Sequence, residues 1–296
     1  MSFPSVNGFC DLNIAHNADN RLIQRVIEYG YKAIALNWTV DVSKTDGKLP
    51  SKKKKGNEDN NSNLVILPKE LISAQKNLIS KYSDKLKVFL RITIVFSKPD
   101  QLKQVFSSQQ YKSYDITAVL PTTDVAYQHA CGNSSIDLLS FEIEVTHYRP
   151  NRKLHKQLTD RNGYFEIMYS QALKSSVRRQ ETITMAQYFH IYGKSKNVII
   201  SSGAVNYLEL RNPFDVANLG LLLGLSEEQS KCSLTRNCKM LILTAAGRRY
   251  GKVAITVELS TKDDDEEPSI KRTKLNPSNN DHMSDVTHSI SSLTTT

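Results

Sequence analysis

Residues 197–225, NVIISSGAVNYLELRNPFDVANLGLLLGL, read as one strand, one loop and one helix. Val198-Ile199-Ile200 is a short β-branched run that ends in Ser201-Ser202-Gly203-Ala204. A buried parallel strand bounded by turn residues has this pattern. A loop with a lone Arg211 follows, then an Asn-Pro helix start and a helix packed with Leu and Gly. In βα proteins the loop after such a strand is where sites are built. Here it carries small residues and one arginine, without His, Cys or a carboxylate triad. The usual place for chemistry is chemically quiet.

Outward from this unit the same alternation recurs. Strands are expected at 9–14 (FCDLNI), 33–38 (AIALNW), 88–96 (VFLRITIVF), 116–120, 136–143, 164–169 and 198–202. Helices are expected between them: 19–29, with Asp19 as N-cap and Gly30 closing it, then 68–81, 99–107, 123–131 and 176–192. Two more follow at 213–223 and 226–243, the second opened by Ser226 with Gln229 able to reach back. Residues 253–259 alternate like an edge strand. Seven strands with helical crossovers predict a parallel sheet, either doubly wound or closed as a barrel. Residues 46–63, rich in Lys, Asn, Ser and Gly, cannot bury enough apolar surface to order themselves. Residues 260–296 turn acidic and then Ser/Thr/Asn-rich, which predicts a disordered tail behind a single domain over 1–259.

The 296 residues are 39% hydrophobic and 23% charged, enough for a large core. No apolar run approaches the roughly 18–20 residues of a membrane span. The start, MSFPSVNGFCDLN, lacks the regions of a signal peptide. A soluble intracellular protein with no membrane partner is expected. Cys10, Cys131, Cys232 and Cys238 form no CxxC pair and read as reduced, mostly buried thiols. The net charge of +9 is uneven: residues 260–296 have four basic and seven acidic residues, a net −3, which leaves +12 on residues 1–259. That excess favours a polyanionic partner, because Lys and Arg neutralise phosphates and release condensed counterions.

Common phosphate and zinc motifs (G-x-x-x-x-G-K-[ST], G-x-G-x-x-G, H-E-x-x-H) are absent. Asp11-Leu12-Asn13-Ile14-Ala15-His16 resembles a stripped metal site. Metal phosphoesterases of the polymerase-and-histidinol-phosphatase type open with Asp-Leu-His-x-His, and both histidines bind metal. Asn13 and Ala15 stand at those positions. Where such enzymes carry Ser-Asp-Ala-His, this chain has Ser202-Gly203-Ala204-Val205, and His16 reads as a lone surface histidine. No catalytic residue, metal or cofactor is expected.

The arginines say more. Arg91 lies mid-strand, so it must meet a carboxylate or open into a polar mouth. Arg161, Arg178, Arg179 and Arg211 sit in loops or at helix starts, where arginine suits bidentate phosphate contact. With Arg149 and Arg152 of a basic segment at 148–161, and Arg248-Arg249 beside Tyr250, these nine form the candidate RNA-binding set. Lys52-Lys53-Lys54-Lys55 and Lys271-Arg272-Thr273-Lys274 read as nuclear-localisation or RNA-tethering tracts.

Nine blocks, in order, resemble one family. They are Phe9-Cys10-Asp11-Leu12-Asn13, Gly30-Tyr31 with Ile34-Ala35-Leu36-Asn37, Leu90-Arg91-Ile92-Thr93, Tyr114-Asp115-Ile116 with Ala118-Val119-Leu120-Pro121, and Ile136-Asp137-Leu138-Leu139. Arg161-Asn162-Gly163-Tyr164-Phe165-Glu166-Ile167, Arg178-Arg179, Val198-Ile199-Ile200-Ser201-Ser202-Gly203-Ala204 and Asp215-Val216-Ala217-Asn218-Leu219-Gly220-Leu221 complete the series. Over residues 9–245 the chain is similar to the thirty-kilodalton protein subunit of eukaryotic and archaeal ribonuclease P, shared with ribonuclease MRP. The resemblance implies a TIM-barrel-like α/β fold without its metal ligands. It implies a non-catalytic role beside an RNA that cleaves precursor-tRNA 5′ leaders, and work in pre-rRNA processing. The implied partners are the ribonuclease P and MRP RNAs, a small ferredoxin-like protein subunit and, indirectly, precursor tRNA. The lysine-rich insert and the KRTK tract suit a eukaryotic member in the nucleus and nucleolus.

Two readings compete. Asp11, His16, Asp115, Asp137 and Glu166 all lie at or near strands, and carboxylates hold Mg²⁺ or Mn²⁺ without histidine, so a metal-dependent phosphoesterase with displaced ligands is one. The other is a protein-interaction module docking through helix 213–223, with Gly220 and Gly224 admitting a partner's backbone.

Overall fold

The β-branched runs form seven parallel strands in a computed structural model of the protein, which describes residues 6–44, 67–142, 148 and 150–251. These are β1 (Cys10–Ala15), β2 (Ala33–Asp41), β3 (Lys87–Phe96), β4 (Ile116–Pro121), β5 (Leu138–Leu139), β6 (Tyr164–Met168) and β7 (Val198–Ser201). The helices are α1 (Asn20–Glu28), α2 (Lys69–Tyr82), α3 (Pro99–Ser107), α4 (Asp124–Gly132), α5 (Arg152–Asp160), α6 (Tyr169–Lys174), α7 (Ser176–Gly193), α8 (Pro213–Leu222), α9 (Glu227–Leu234) and α10 (Arg236–Tyr250). Residues 46–63, Arg149, the strand expected at 253–259 and the tail with Lys271, Arg272 and Lys274 lie outside the described residues.

The strands pair in sequence order, each parallel to the next. A doubly wound sheet reverses its order at a switch point; this one does not. Its two edges also meet. Gly203 N–H donates to the Asn13 carbonyl at 2.9 Å, Ala15 N–H to the Ala204 carbonyl at 3.0 Å, and Ile14 bridges Ala204 in parallel. Gly203 takes φ +62°, a turn an L side chain rarely adopts. The quiet loop after β7 is therefore the seam of a nearly closed barrel.

Alternation along the strands sorts side chains into two apolar layers. Ile34, Leu36, Ile92, Val119, Phe165 and Ile200 face the helices, where they share a core with Leu22 and Val26 of α1. Inside the barrel, Leu12, Ala33, Ala35, Phe89, Ala118, Leu138 and Ile199 pack with Cys238, Leu241, Ile242 and Ala245 of α10. α10 thus stoppers the end of the barrel where the strands begin. Cys10, Cys131 and Cys238 are buried free thiols, and Cys232 is half-buried.

Three expectations shift. The single helix expected at 226–243 is α9 and α10, broken at Thr235 (φ −125°, ψ −86°). Leu234 belongs to the outer layer and Cys238 to the inner one, so the chain must turn beneath the barrel between them. The capping box at its start stands: Ser226 Oγ accepts from Gln229 N–H and Gln229 Oε1 from Ser226 N–H. The strand expected over 136–143 pairs only at Leu138 and Leu139. The segment read as merely basic contains α5, whose buried face is Leu154, His155, Leu158 and Thr159. Two polar residues in that stripe conceal its helical period.

His155 is 1% exposed, stacks on Phe165 at 4.4 Å, and neither ring nitrogen has a partner. Burial pushes its pKa down from 6.5 to about 4. A lowered histidine contributes stability above its unfolded pKa and loses it as pH falls from 6.5 towards 4. The full loss is about 3 kcal/mol. Asp11, 1% exposed and raised by burial to about 6, opposes it, losing stability as pH rises from 3.8 through 6. His155→Leu is therefore expected to gain on the wild type by about 3 kcal/mol between pH 7 and pH 4. Urea melts at both pH values test this; a constant gap would refute it.

Candidate nucleic-acid interface

At mid-height the barrel interior changes from apolar to polar. Inward positions carry Asn13, Asn37, Arg91, Thr93, Ser140, Glu166 and Ser201 from six strands or strand ends. Arg91 has no exposed surface and binds Glu166 in a two-pronged pair, at 2.5 and 2.6 Å. It also donates to the Leu12 carbonyl, Thr93 Oγ1 and Ser140 Oγ. Glu166 accepts from Asn13 Nδ2, Ser201 Oγ and Ser140 Oγ besides. Burial would push its carboxyl up; the Arg91 charge and these hydrogen bonds outweigh that and hold it below the ordinary value. At Asn13, where the resembled phosphoesterases carry an imidazole, an amide donates to this same carboxylate.

The five residues of the phosphoesterase reading do not converge. Glu166 is committed to Arg91. Asp11 Oδ1 accepts the N–H groups of Asn13 and Ser202 and braces the seam. Asp137 and Asp115 lie before β5 and β4, at the opposite end of the strands. There they accept Arg248, through both carboxylate oxygens, and Arg249. His16 stands at the mouth against Trp38. Among the described residues, no group of three or more His, Cys, Asp or Glu could hold a metal ion.

The same geometry divides the candidate RNA-binding arginines. Arg91 has no exposed surface and is paired with Glu166, so it offers no unspent charge to a phosphate: mid-strand burial demanded a carboxylate, and Glu166 supplies it. Arg161 donates to the Ala130, Cys131 and Ile136 carbonyls, closing the end of α4 and the turn after it. Arg248 and Arg249 tether α10 to Asp137 and Asp115. Arg211 is exposed on the β7–α8 loop, which descends the outside of the barrel. Along that descent Tyr207 meets α1, Tyr31 Oη donates to the Arg211 carbonyl, and Phe214 meets Phe9 just before β1. Arg152 opens α5, and Arg178 and Arg179 lie in the first turn of α7. Helices of a βα barrel start at the end where its strands finish, so these three stand around the mouth.

The sequence reading missed a stacked cluster. Arg25 lies over Tyr29 at 5.9 Å and over Tyr207 at 5.2 Å, and Arg21 over Tyr207 at 5.8 Å. Arg25 and Tyr29, four apart on a helix, were legible as a pair; Tyr207 comes from the far end of the chain. The docking reading of α8 changes too. An added Cβ at Gly220 would overlap Ser230 Oγ of α9, so that glycine admits this chain's own helix. The exposed face of α8 carries Phe214, Leu221 and Leu222 instead.

Comparison with known proteins accords with this geometry. The family model described as RNase P subunit p30 matches residues 8–291. Ribonuclease P protein subunit p30 of Mus musculus is 31% identical over 278 residues, covering 90% of this chain and 98% of that protein. The ribonuclease P/MRP protein subunit RPP1 of Saccharomyces cerevisiae is 28% identical over 252 residues, covering 83% and 78%. A chain in a cryo-EM structure of archaeal ribonuclease P with mature tRNA shares the fold. Its TM-score is 0.61 at 16% identity, over 85% of this chain and all of that one.

Proposed function

The chain belongs to the RNase P subunit p30 family, and from that premise we propose that it is a non-catalytic protein subunit of ribonuclease P and MRP. In this reading it binds the RNA subunits and organises them for removal of precursor-tRNA 5′ leaders and for pre-rRNA processing. The observation that carries it is how the fold uses its arginines. Arg91, Arg161, Arg248 and Arg249 are held inside the barrel or at the foot of its strands, whereas Arg152, Arg178 and Arg179 open helices around the barrel mouth, where Arg178 also donates to Gln171 Oε1 and Arg179 to the Ala172 carbonyl. Basic side chains placed there offset phosphate repulsion where RNA segments approach each other. Residence in the nucleus and nucleolus, through the tracts at Lys52–Lys55 and Lys271–Lys274, is part of the same proposal. So is a small ferredoxin-like protein partner. Exposed Phe214, Leu221 and Leu222 support a protein contact on α8, since exposed apolar patches mark such sites.

The test is capture of the tagged protein from cells, with identification of the RNA that accompanies it. The ribonuclease P and MRP RNAs are expected. Changing Arg152, Arg178 and Arg179 together to alanine should weaken binding and reduce the slope of log K against log[salt] by about 0.7–0.9 for each phosphate no longer neutralised. Recovery of neither RNA would overturn the proposal.

A further inference from the structure

Above the Arg91–Glu166 pair the barrel opens into a cleft of about 440 Å³, within the ~300–1,000 Å³ range of small-molecule sites. Its lining narrows what it can receive. The guanidinium at its floor is already neutralised by Glu166, and Glu142 is the other charged residue described there. An anion therefore finds no unspent cation among the described lining residues, and a metal ion finds no cluster of ligands. What the walls offer is neutral and polar: Asn17, Asn37 and Thr39, with Thr93 below. Asn37 Oδ1 accepts from Thr93 Oγ1 at 2.7 Å and its Nδ2 donates to Thr39 Oγ1 at 3.5 Å, which leaves that amide a second N–H and a second lone pair. Carboxamides present a donor and an acceptor side by side, the same alternation that base edges display.

One wall is aromatic. The His16 and Trp38 rings meet edge to face at 4.5 Å, and both are half-buried. Burial holds His16 below its ordinary value, so it is neutral near pH 7. The rings stand at 77° to each other, so one ring face at a time can take a stacked base, and stacking tolerates any base because each has a π-face. The cations lie outside, where a backbone would run: Arg178 lines an adjoining cavity that shares Glu142 and Met168 with the mouth.

We propose that the barrel mouth receives one unpaired RNA base, stacked on the Trp38–His16 wall, with Asn17 and Asn37 against its edge. The inference deepens the RNA-subunit reading and rests on it.

Trp38 is the sole tryptophan of the chain, so its fluorescence reports on this cleft. The full chain is titrated with ribonuclease P RNA, with an unstructured oligoribonucleotide and with nucleoside monophosphates, while RNA affinity is measured separately by filter binding. A saturable fall in emission with RNA is expected. Trp38→Leu should weaken RNA binding by roughly 5- to 150-fold, the loss of one stacked base. Asn17→Ala, at an exposed position, should weaken it by less and guards against misfolding of the first variant. If RNA binds tightly with unchanged Trp38 emission and equally to both variants, the base site is refuted and the RNA-subunit reading stands. If RNA does not bind but monophosphates quench Trp38, the RNA-subunit reading falls and the cleft is a free-nucleotide site. If neither probe quenches, the proposal is overturned.

Discussion

Glu166→Ala is expected to cost about 3–5 kcal/mol, a large share of the ~5–15 kcal/mol that stabilises a domain. The alanine leaves a guanidinium with no exposed surface unpaired in the middle of a barrel. Two charge-assisted bonds, at 2.5 and 2.6 Å, vanish together, and Asn13, Ser140 and Ser201 lose their acceptor. Arg91→Met should cost as much, because it strands the carboxylate instead. The double variant R91M/E166A removes both charges at once and is expected to be no worse than either single change. Urea melts of the four proteins form a cycle with a coupling of several kcal/mol. Additive losses would show that the two residues act separately and would sink this account of the barrel's centre.

Gly220→Ala is the second large effect, and its sign runs against local propensity. In an exposed helix that change gains ~1 kcal/mol. Here the new Cβ overlaps Ser230 Oγ and comes within 3.2 Å of Ile200 Cδ1. Ser230 is 1% exposed, and its hydroxyl donates to the Ala217 carbonyl at 2.5 Å, so it has nowhere to go. Overpacking of this kind costs ~1–3 kcal/mol. A loss of about 2–3 kcal/mol lowers the melting temperature by roughly 4–12 °C in a domain of this size. The exchange G220A/S230G moves the bulk across the α8–α9 contact and should recover most of it. A variant that melted higher than the wild type would place the two helices further apart.

Much of this architecture was legible in local pattern. Val198-Ile199-Ile200 and the run through Arg91 are strands because their residues suit a sheet buried on both faces. Gly30, at φ +80°, closes α1 where the sequence placed a helix stop. The choice between an open sheet and a barrel was not local. It turns on the seam between Asn13 and Gly203, contacts that no periodicity encodes. The interface divides in the same way. That Arg91 needed a carboxylate followed from burial, but its partner lies 75 residues further along. Arg161 and Arg248 look like free surface cations in sequence, because the carbonyls and the carboxylate that engage them come from other elements. The Trp38–His16 wall was hidden for a third reason: the two residues become neighbours only when β1 and β2 pair.

The stopper at the foot of the barrel bears on how the chain is made. Residues 236–250 fill the base of the bore and are tied there by Arg248 and Arg249. The seam likewise joins the first strand to residues 203 and 204. A ribosome that has released only the first six βα units has therefore presented an open tube, apolar within and with two unpaired edges. The seam waits for residues 203 and 204, and the stopper for α10. Contacts of such long sequence separation form slowly, and unpaired strand edges invite aggregation while they wait. A message truncated just after β7 would yield a chain unable to close, a natural client for chaperones and proteases.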